Sequence, residues 1–291
     1  MSDSAAAERD PVVVTVDGTI RDADAPLLYA DDLSVLRGDG AFETLLVRGG
    51  RPRQIGAHLE RLARSAAALE LPEVEQDRWR TAIAVAAKAW GGIDEGAMRL
   101  VYGRGREGGG DPTAYVLVGP VSERITRVRD GGVSAMSLPR GYASDLTEQA
   151  PWLLLGAKTL SYAVNMAAVR YAEAHGVDEV IFTSADGYVL EGPRSTVVIA
   201  RGEKLITPPP ETGVLAGTTQ RAVFAAAEAA GIECEYAPLR PADLIVADGV
   251  WMLSSVALAP RVHTLDGLEL DDAPMAEQMA ELVQSGIDAG D

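Results

Sequence analysis

The sequence predicts an α+β chain in two domains, and three observations carry that reading. Helical spacing over residues 57–69 and 77–90 lies among short β-rich runs, so the first half combines a sheet with helices on one side. The stretch from about 120 to 150 is charged and irregular, as an interdomain connection is. Beyond it, short strand-like runs separated by glycine turns alternate with three helical segments. The expected division is a smaller N-terminal α/β domain over 1–125 with 1–10 frayed, a connection over 126–145, and a larger C-terminal domain over 146–291.

Each element has a local reason. Pro11 to Val16 is β-rich and closes at Asp17-Gly18, a hairpin signal. Residues 37–47 read as a glycine-rich loop, Arg37 to Gly40, entering a strand. In the helix over 57–69, Leu59, Leu62, Ala66 and Leu69 form the apolar face, while His58, Arg61 and Ser65 share another. A second amphipathic helix runs from Asp77 to Trp90, and strands Met98 to Tyr102 and Thr113 to Val118 flank the Gly-rich 103–110. In the second half, Tyr162 to His175 has helical spacing and stops at Gly176. Strands follow over 178–184, 188–191, 195–200, 205–207 and 250–255, with a turn over 263–267 and helices over 217–230 and 275–287.

Composition narrows the function. A formal net charge of −17 argues against binding a nucleic-acid backbone or an anionic membrane, which need clustered positive charge. The single cysteine, Cys234, permits no intrachain disulfide, and His58, His175 and His263 lack metal-ligand spacing. With no basic, apolar leader and no long apolar run, the expectation is a cytoplasmic protein without membrane or metal.

Lys158 stands out against this background. The basic residues number 26, of which only Lys88, Lys158 and Lys204 are lysines, and Lys158 is the one charged residue of the apolar run 153–162. Arginine cannot lose its proton, whereas a desolvated lysine has a lowered pKa and becomes a nucleophile able to form a Schiff base. Further on, Glu191 ends an apolar strand and calls for a cationic partner. Gly217-Thr218-Thr219 opens a helix and offers backbone N–H groups and hydroxyls to an anion. Arg61 and the pair Ser254-Ser255 are candidates to complete such an anion site.

These features occur within a longer pattern: 38–43 (GDGAFE), 58–62 (HLERL), Ala157-Lys158, 188–196, 213–219 and Ser254-Ser255. In order and spacing, over nearly the whole chain, the pattern resembles the fold-type IV pyridoxal 5′-phosphate (PLP) enzymes, which comprise branched-chain and D-amino acid aminotransferases and aminodeoxychorismate lyase. The resemblance implies a two-domain fold whose C-terminal domain is a β-barrel-like body with helices, acting as a homodimer on a small molecule. It makes Lys158 the Schiff-base lysine and proton shuttle and Glu191 the partner of the pyridinium nitrogen. It further implies phosphate contacts from Arg61, Gly217, Thr218, Thr219, Ser254 and Ser255, and a contact of Tyr162 with the cofactor's phenolic oxygen. Gln220, followed by Arg221, stands where relatives often carry arginine, and Ser254-Ser255 replaces a common Gly-Thr.

The reaction depends on the substrate pocket. Arg99, Arg104 and Arg106 lie in or beside the glycine loop, and Arg is the favoured carboxylate clamp. With Phe42 they are the expected substrate contacts. The Arg-Gly texture resembles 4-amino-4-deoxychorismate lyase, whose substrate carries two carboxylates. The alternative is an aminotransferase for D- or branched-chain amino acids, and a third reading is a PLP-free Schiff-base lyase or a noncatalytic binder.

Overall fold

The computed structural model describes residues 10–289, so nearly all of the expected frayed terminus lies outside the described residues. The chain divides into two compact units. The first comprises residues 10–122 and Lys158–Ser161, the second residues 123–157 and 162–289.

The first unit is built on an antiparallel six-stranded sheet. Its strands are β1 (Val12–Thr15), β2 (Ile20–Arg21), β3 (Gly40–Arg48), β4 (Arg51–Pro52), β5 (Gly96–Gly103) and β6 (Thr113–Pro120), in the order β2-β1-β6-β5-β3-β4. Besides the single turn α1 (Leu33–Leu36), it carries α2 (Ile55–Ala68) and α3 (Gln76–Trp90). Both long helices form because their apolar residues recur at helical spacing, and they bury Leu59, Leu62, Trp79, Ile83 and Trp90 against Leu45, Val47, Met98 and Leu100 of the sheet. Along β3 the pleat alternates, so Ala41, Glu43, Leu45 and Val47 share the core face. One position of that face is a carboxylate.

The second unit holds two four-stranded sheets. One runs β11 (Glu233–Tyr236), β10 (Lys204–Thr207), β9 (Thr196–Arg201), β12 (Gly249–Leu253). The other runs β14 (Leu268–Glu269), β13 (Val262–Leu265), β7 (Val133–Pro139), β8 (Glu179–Thr183). A bridge between Trp251 and Arg261 links β12 to β13. Val133, Ile181, Val197, Ile199, Met252 and Val262 from both sheets form one core, as a barrel-like body does. The helices are α4 (Glu123–Gly131), α5 (Leu146–Gln149), α6 (Ala163–Ala174), α7 (Thr218–Ala229), α8 (Pro241–Ile245) and α9 (Ala276–Asp288).

The two-domain α+β architecture is the one expected, with differences in detail. Residues 126–145, read as an irregular connection, hold most of α4 and all of β7 and are built into the second unit. The charged surface of α4, with only Val128 buried, hides its helical character. Residues 188–191 return along β8 as expected, with Ser184 N–H donating to the Tyr188 carbonyl at 2.8 Å, Leu190 N–H to the Phe182 carbonyl at 2.8 Å and Phe182 N–H to the Glu191 carbonyl at 2.9 Å. The turn expected over 263–267 is confined to Asp266-Gly267, with 263–265 in β13.

Candidate active site

In the first unit, Lys158 is held through its main chain. Its carbonyl accepts the Phe42 N–H at 3.0 Å, and its own N–H donates to Ser65 Oγ of α2 at 3.0 Å. Two residues on, the Leu160 N–H donates to the Gly40 carbonyl at 2.7 Å, so the segment pairs with the first half of β3. This approach explains the glycines before β3. A Cβ at Gly38, where φ is +66°, would stand 2.8 Å from Ser161 Oγ, and one at Gly40 would stand 2.7 Å from Leu160 Cδ1. The Lys158 ammonium lies over the half-buried Phe42 ring, 4.5 Å from its centroid, as a cation–π pair.

The apolar run that leads into Lys158 is not a core segment. Trp152 is 74% and Leu153 46% exposed, and Lys158 itself is half-buried. A 3-10 turn at Pro151–Leu153 and positive φ at Leu154 and Gly156 keep the run a surface loop. What distinguishes Lys158 is therefore its fixed main chain and the ring beneath it rather than burial among aliphatic groups.

Arg61 is buried. Its Nε and Nη2 donate to the two carboxylate oxygens of Glu43, each at 2.7 Å, and His58 Nδ1 meets Glu43 Oε2 at 2.7 Å. Glu43 is fully buried; desolvation opposes its charge, but Arg61 and His58 overcome this and hold its carboxyl well below the usual range. Burial pushes His58 below its ordinary value despite Glu43, so its ring is neutral and donates from Nδ1. The second face of α2, carrying His58, Arg61 and Ser65, is thus as buried as the apolar one.

The expected substrate arginines are placed differently. Arg99 is exposed on β5. Arg104 pairs with Asp39 at 2.6 Å and Arg106 with Asp31 at 2.9 Å, the latter lying 4.4 Å above the Tyr29 ring. Both border a cleft of about 540 Å³ bounded also by Leu33, Leu71 and Pro112, and neither Phe42 nor Lys158 lines it.

In the second unit, the half-buried Glu191 accepts the Leu215 N–H on Oε2 at 3.0 Å. The Tyr162 hydroxyl donates to the Pro193 carbonyl, which also accepts Asn165 Nδ2–H at 2.8 Å. Arg140 donates to Asn165 Oδ1 at 3.0 Å and lies 4.8 Å over the Phe182 ring. Burial, reinforced by the charge of Glu191, pushes the Tyr142 and Tyr162 phenols up to about 12, so both remain protonated donors at neutral pH.

The start of α7 is buried, with Thr218, Thr219 and Gln220 at 3% exposure or less, and Gly217 gives it no side-chain cap. Ser255 Oγ lies 3.5 Å from the hydroxyls of both Thr218 and Thr219. A Cβ at Gly217 would come within 2.4 Å of Thr196 Oγ1, so any side chain there must displace that hydroxyl. Ser254 instead closes a tight turn, its Oγ accepting the Ala257 N–H at 3.2 Å and its backbone pairing with Leu258. Gln220 donates to the Tyr236 hydroxyl at 3.0 Å. A buried helix N-terminus flanked by three hydroxyls fits a phosphate group.

Sequence reasoning placed His58 and Ser65 on one face with Arg61, and Glu43 in the 38–43 motif, without giving any of these three a site role, and it did not single out Arg140, Tyr142 or Asn165. The signal for Glu43 was available: a carboxylate in step with Ala41, Leu45 and Val47 on a strand, with His58 and Arg61 nearby on a helix. Nothing local marks Arg140 or Tyr142. Among the described residues no group of side chains could hold a metal ion, and no helix is long and apolar enough to cross a membrane.

Taken each by itself, the positioned amine of the first unit suits a carbonyl group, and in the second unit the carboxylate near two protonated phenols suits a basic ring nitrogen and the helix end suits a phosphate. Comparison with known proteins agrees. A curated Mycobacterium tuberculosis protein named bifunctional aminodeoxychorismate lyase / D-amino acid transaminase is 54% identical over 285 residues, covering 95% of this chain and 99% of its own. The PLP-bound form of a hypothetical aminotransferase from the same organism superposes with a TM-score of 0.94 at 55% identity, over 96% of this chain and 99% of that one. A fold IV transaminase from Curtobacterium pusillum gives 0.90 at 38% identity, over 96% and 99%. The model of the amino-transferase class IV family matches residues 40–265, and this chain belongs to that family.

Proposed function

We propose that the chain is a PLP-dependent 4-amino-4-deoxychorismate lyase that releases p-aminobenzoate and pyruvate. The observation that carries the PLP reading is the placement of Lys158, pinned at both its N–H and its carbonyl with its ammonium over Phe42. When bound, PLP supplies an aldehyde for a primary amine and a protonated ring that accepts electrons from the bond being broken. The amine of Lys158 would hold the cofactor at its aldehyde carbon, and when free it is the group placed to move the proton at the substrate's amine-bearing carbon. Glu191 would favour the protonated form of the ring nitrogen, Tyr162 would donate to the phenolic oxygen, and the opening of α7, Ser255 and Arg61 would hold the phosphate. Ser254 supports that end through its turn.

Loss of the proton puts electrons beside the carbon that bears the enolpyruvyl ether. The ether C–O bond then breaks with its electron pair leaving on oxygen, and the substrate ring becomes aromatic. The departing enolpyruvate takes up a proton, balancing the one removed, to become pyruvate, which makes release irreversible. This reading is supported by the bifunctional name of the relative that is 54% identical to this chain. Phe42, Arg99, Arg104 and Arg106 are the proposed substrate contacts. Arg106 meets a substrate carboxylate by exchanging its exposed pair with Asp31, which is weak enough to exchange, whereas Arg104 must also leave the half-buried two-point pair with Asp39 and the Leu69 carbonyl it meets at 2.6 Å.

The second reading, transamination of D-amino acids, is favoured by the same name, and branched-chain substrates are the further alternative within the family. We also read the protein as a cytoplasmic homodimer. The exposure of Trp152 and Leu153 supports the dimer, and light scattering at the working concentration tests it. For the reaction, the purified protein with PLP is given aminodeoxychorismate and no keto acid, and in parallel D-alanine or leucine with 2-oxoglutarate. Release of p-aminobenzoate without an acceptor is expected. Acceptor-dependent transfer with no p-aminobenzoate overturns the lyase and leaves the cofactor reading standing.

A further inference from the structure

Glu43 cancels the charge of Arg61, which is an odd arrangement if Arg61 serves an anion by charge alone. The cluster of Glu43, His58 and Arg61 contains one anion, one cation and one neutral ring, all 6% exposed or less. What it supplies is fixed geometry. Glu43 takes the Nε–Nη2 edge of the guanidinium with two bonds of 2.7 Å, and such a two-point pair sets both the position and the plane of the fork. His58 adds a third bond to the same carboxylate, so Glu43 cannot rotate without breaking it. One turn further along α2, Ser65 takes the Lys158 N–H. The support of Lys158 and the orientation of Arg61 therefore come from one buried helix face.

We propose that Glu43 is a positioning residue that fixes Arg61 for the phosphate of the cofactor, with His58 locking the carboxylate; this rests on the PLP reading above. An arginine already ordered before the ligand arrives does not lose side-chain freedom on binding, which is where the affinity comes from. The role is separate from charge balance, because a balancing carboxylate anywhere nearby would weaken the attraction for phosphate.

The test uses apo protein titrated with PLP and, separately, with pyridoxal, which lacks the phosphate. Arg61→Gln and Glu43→Gln are each expected to weaken PLP binding by about tenfold while changing pyridoxal binding by less than about twofold. Introducing Glu43→Gln into the Arg61→Gln background is expected to add nothing. If Arg61→Gln leaves PLP binding unchanged, the phosphate role of Arg61 fails and the proposal with it. If Arg61→Gln weakens PLP but Glu43→Gln does not, the phosphate role stands and the positioning proposal is overturned. Parallel loss of PLP and pyridoxal binding in Glu43→Gln marks a merely structural residue and also overturns it. Should Glu43→Gln fail to fold, Glu43→Asp keeps the charge one methylene short of the fork; wild-type PLP binding by folded Glu43→Asp overturns the proposal.

Discussion

The α2 and α7 helices meet negative charge by opposite means. On α2, Arg61 carries a formal charge, and that charge is neutralised inside the protein by Glu43 at 2.7 Å. At the start of α7, Gly217, Thr218, Thr219 and Gln220 carry no formal charge, and the donors they offer are backbone N–H groups with the hydroxyls of Thr218, Thr219 and the nearby Ser255. A buried ion pair is costly to break, since removing one partner strands the other. A helix end needs no partner of that kind and depends on close approach of the backbone. The first arrangement fixes geometry, and the second gives access.

The largest expected effect separates chemistry from cofactor holding. Lys158→Ala should lower turnover on the order of 10⁴-fold or more, because it removes the amine proposed to move the proton. The same variant should still retain PLP noncovalently, since α7 keeps its donors; loss of all PLP binding would show that α7 contributes little. Glu191→Gln comes next. Removing the carboxylate at nearly constant shape should lower the catalytic rate by roughly 10²–10³-fold with the circular dichroism spectrum unchanged. Near wild-type turnover in Glu191→Gln would contradict its role at the ring nitrogen.

Gly217→Ala tests the claim that α7 works by close approach. A methyl there must displace Thr196 Oγ1 from 2.4 Å, so a stability loss of about 1–3 kcal/mol in thermal unfolding is expected, together with weaker PLP binding. Unchanged stability and binding would break the comparison at that end.

The smallest effect concerns acid. His58 is held below its ordinary 6.5, so as pH falls through that value the unfolded chain takes up a proton that the folded chain refuses, and stability drops. Glu43, held below its ordinary 4.5, adds to the loss at lower pH by the same sign: its stabilisation is present above 4.5 and fades as pH falls. The α7 end has no titrating group among its neutral donors. Hydrogen exchange between about pH 7 and about pH 5 should therefore show α2 losing protection before α7. Equal loss in both helices, or none in α2, would contradict the assignment.

The same contrast explains what could be read from the sequence. The α7 end was legible because Gly217-Thr218-Thr219 is a local signal, and α2 and α3 were legible from the spacing of Leu59, Leu62, Trp79 and Ile83. Lys158 was legible by its isolation, although for an imperfect reason: its run proved to be an exposed loop, and its pairing with Phe42 and Ser65 joins segments far apart in the chain. The Glu43 cluster was only half legible. Placing His58, Arg61 and Ser65 together on a second face of α2 was correct, but that face gave no sign that a carboxylate on the inward pleat of β3 draws its partners into the core. Arg104 and Arg106 were found as charges, but their Asp39 and Asp31 partners are set by folding and have no local signature.

The central claim is that Lys158 carries the cofactor. Borohydride reduction of the PLP-loaded protein, followed by proteolysis and mass mapping, addresses it without reference to any substrate. The account predicts a pyridoxyl group on Lys158 and none on the other two lysines. A label recovered chiefly on Lys88 or Lys204, or no label on a protein saturated with PLP, would contradict it.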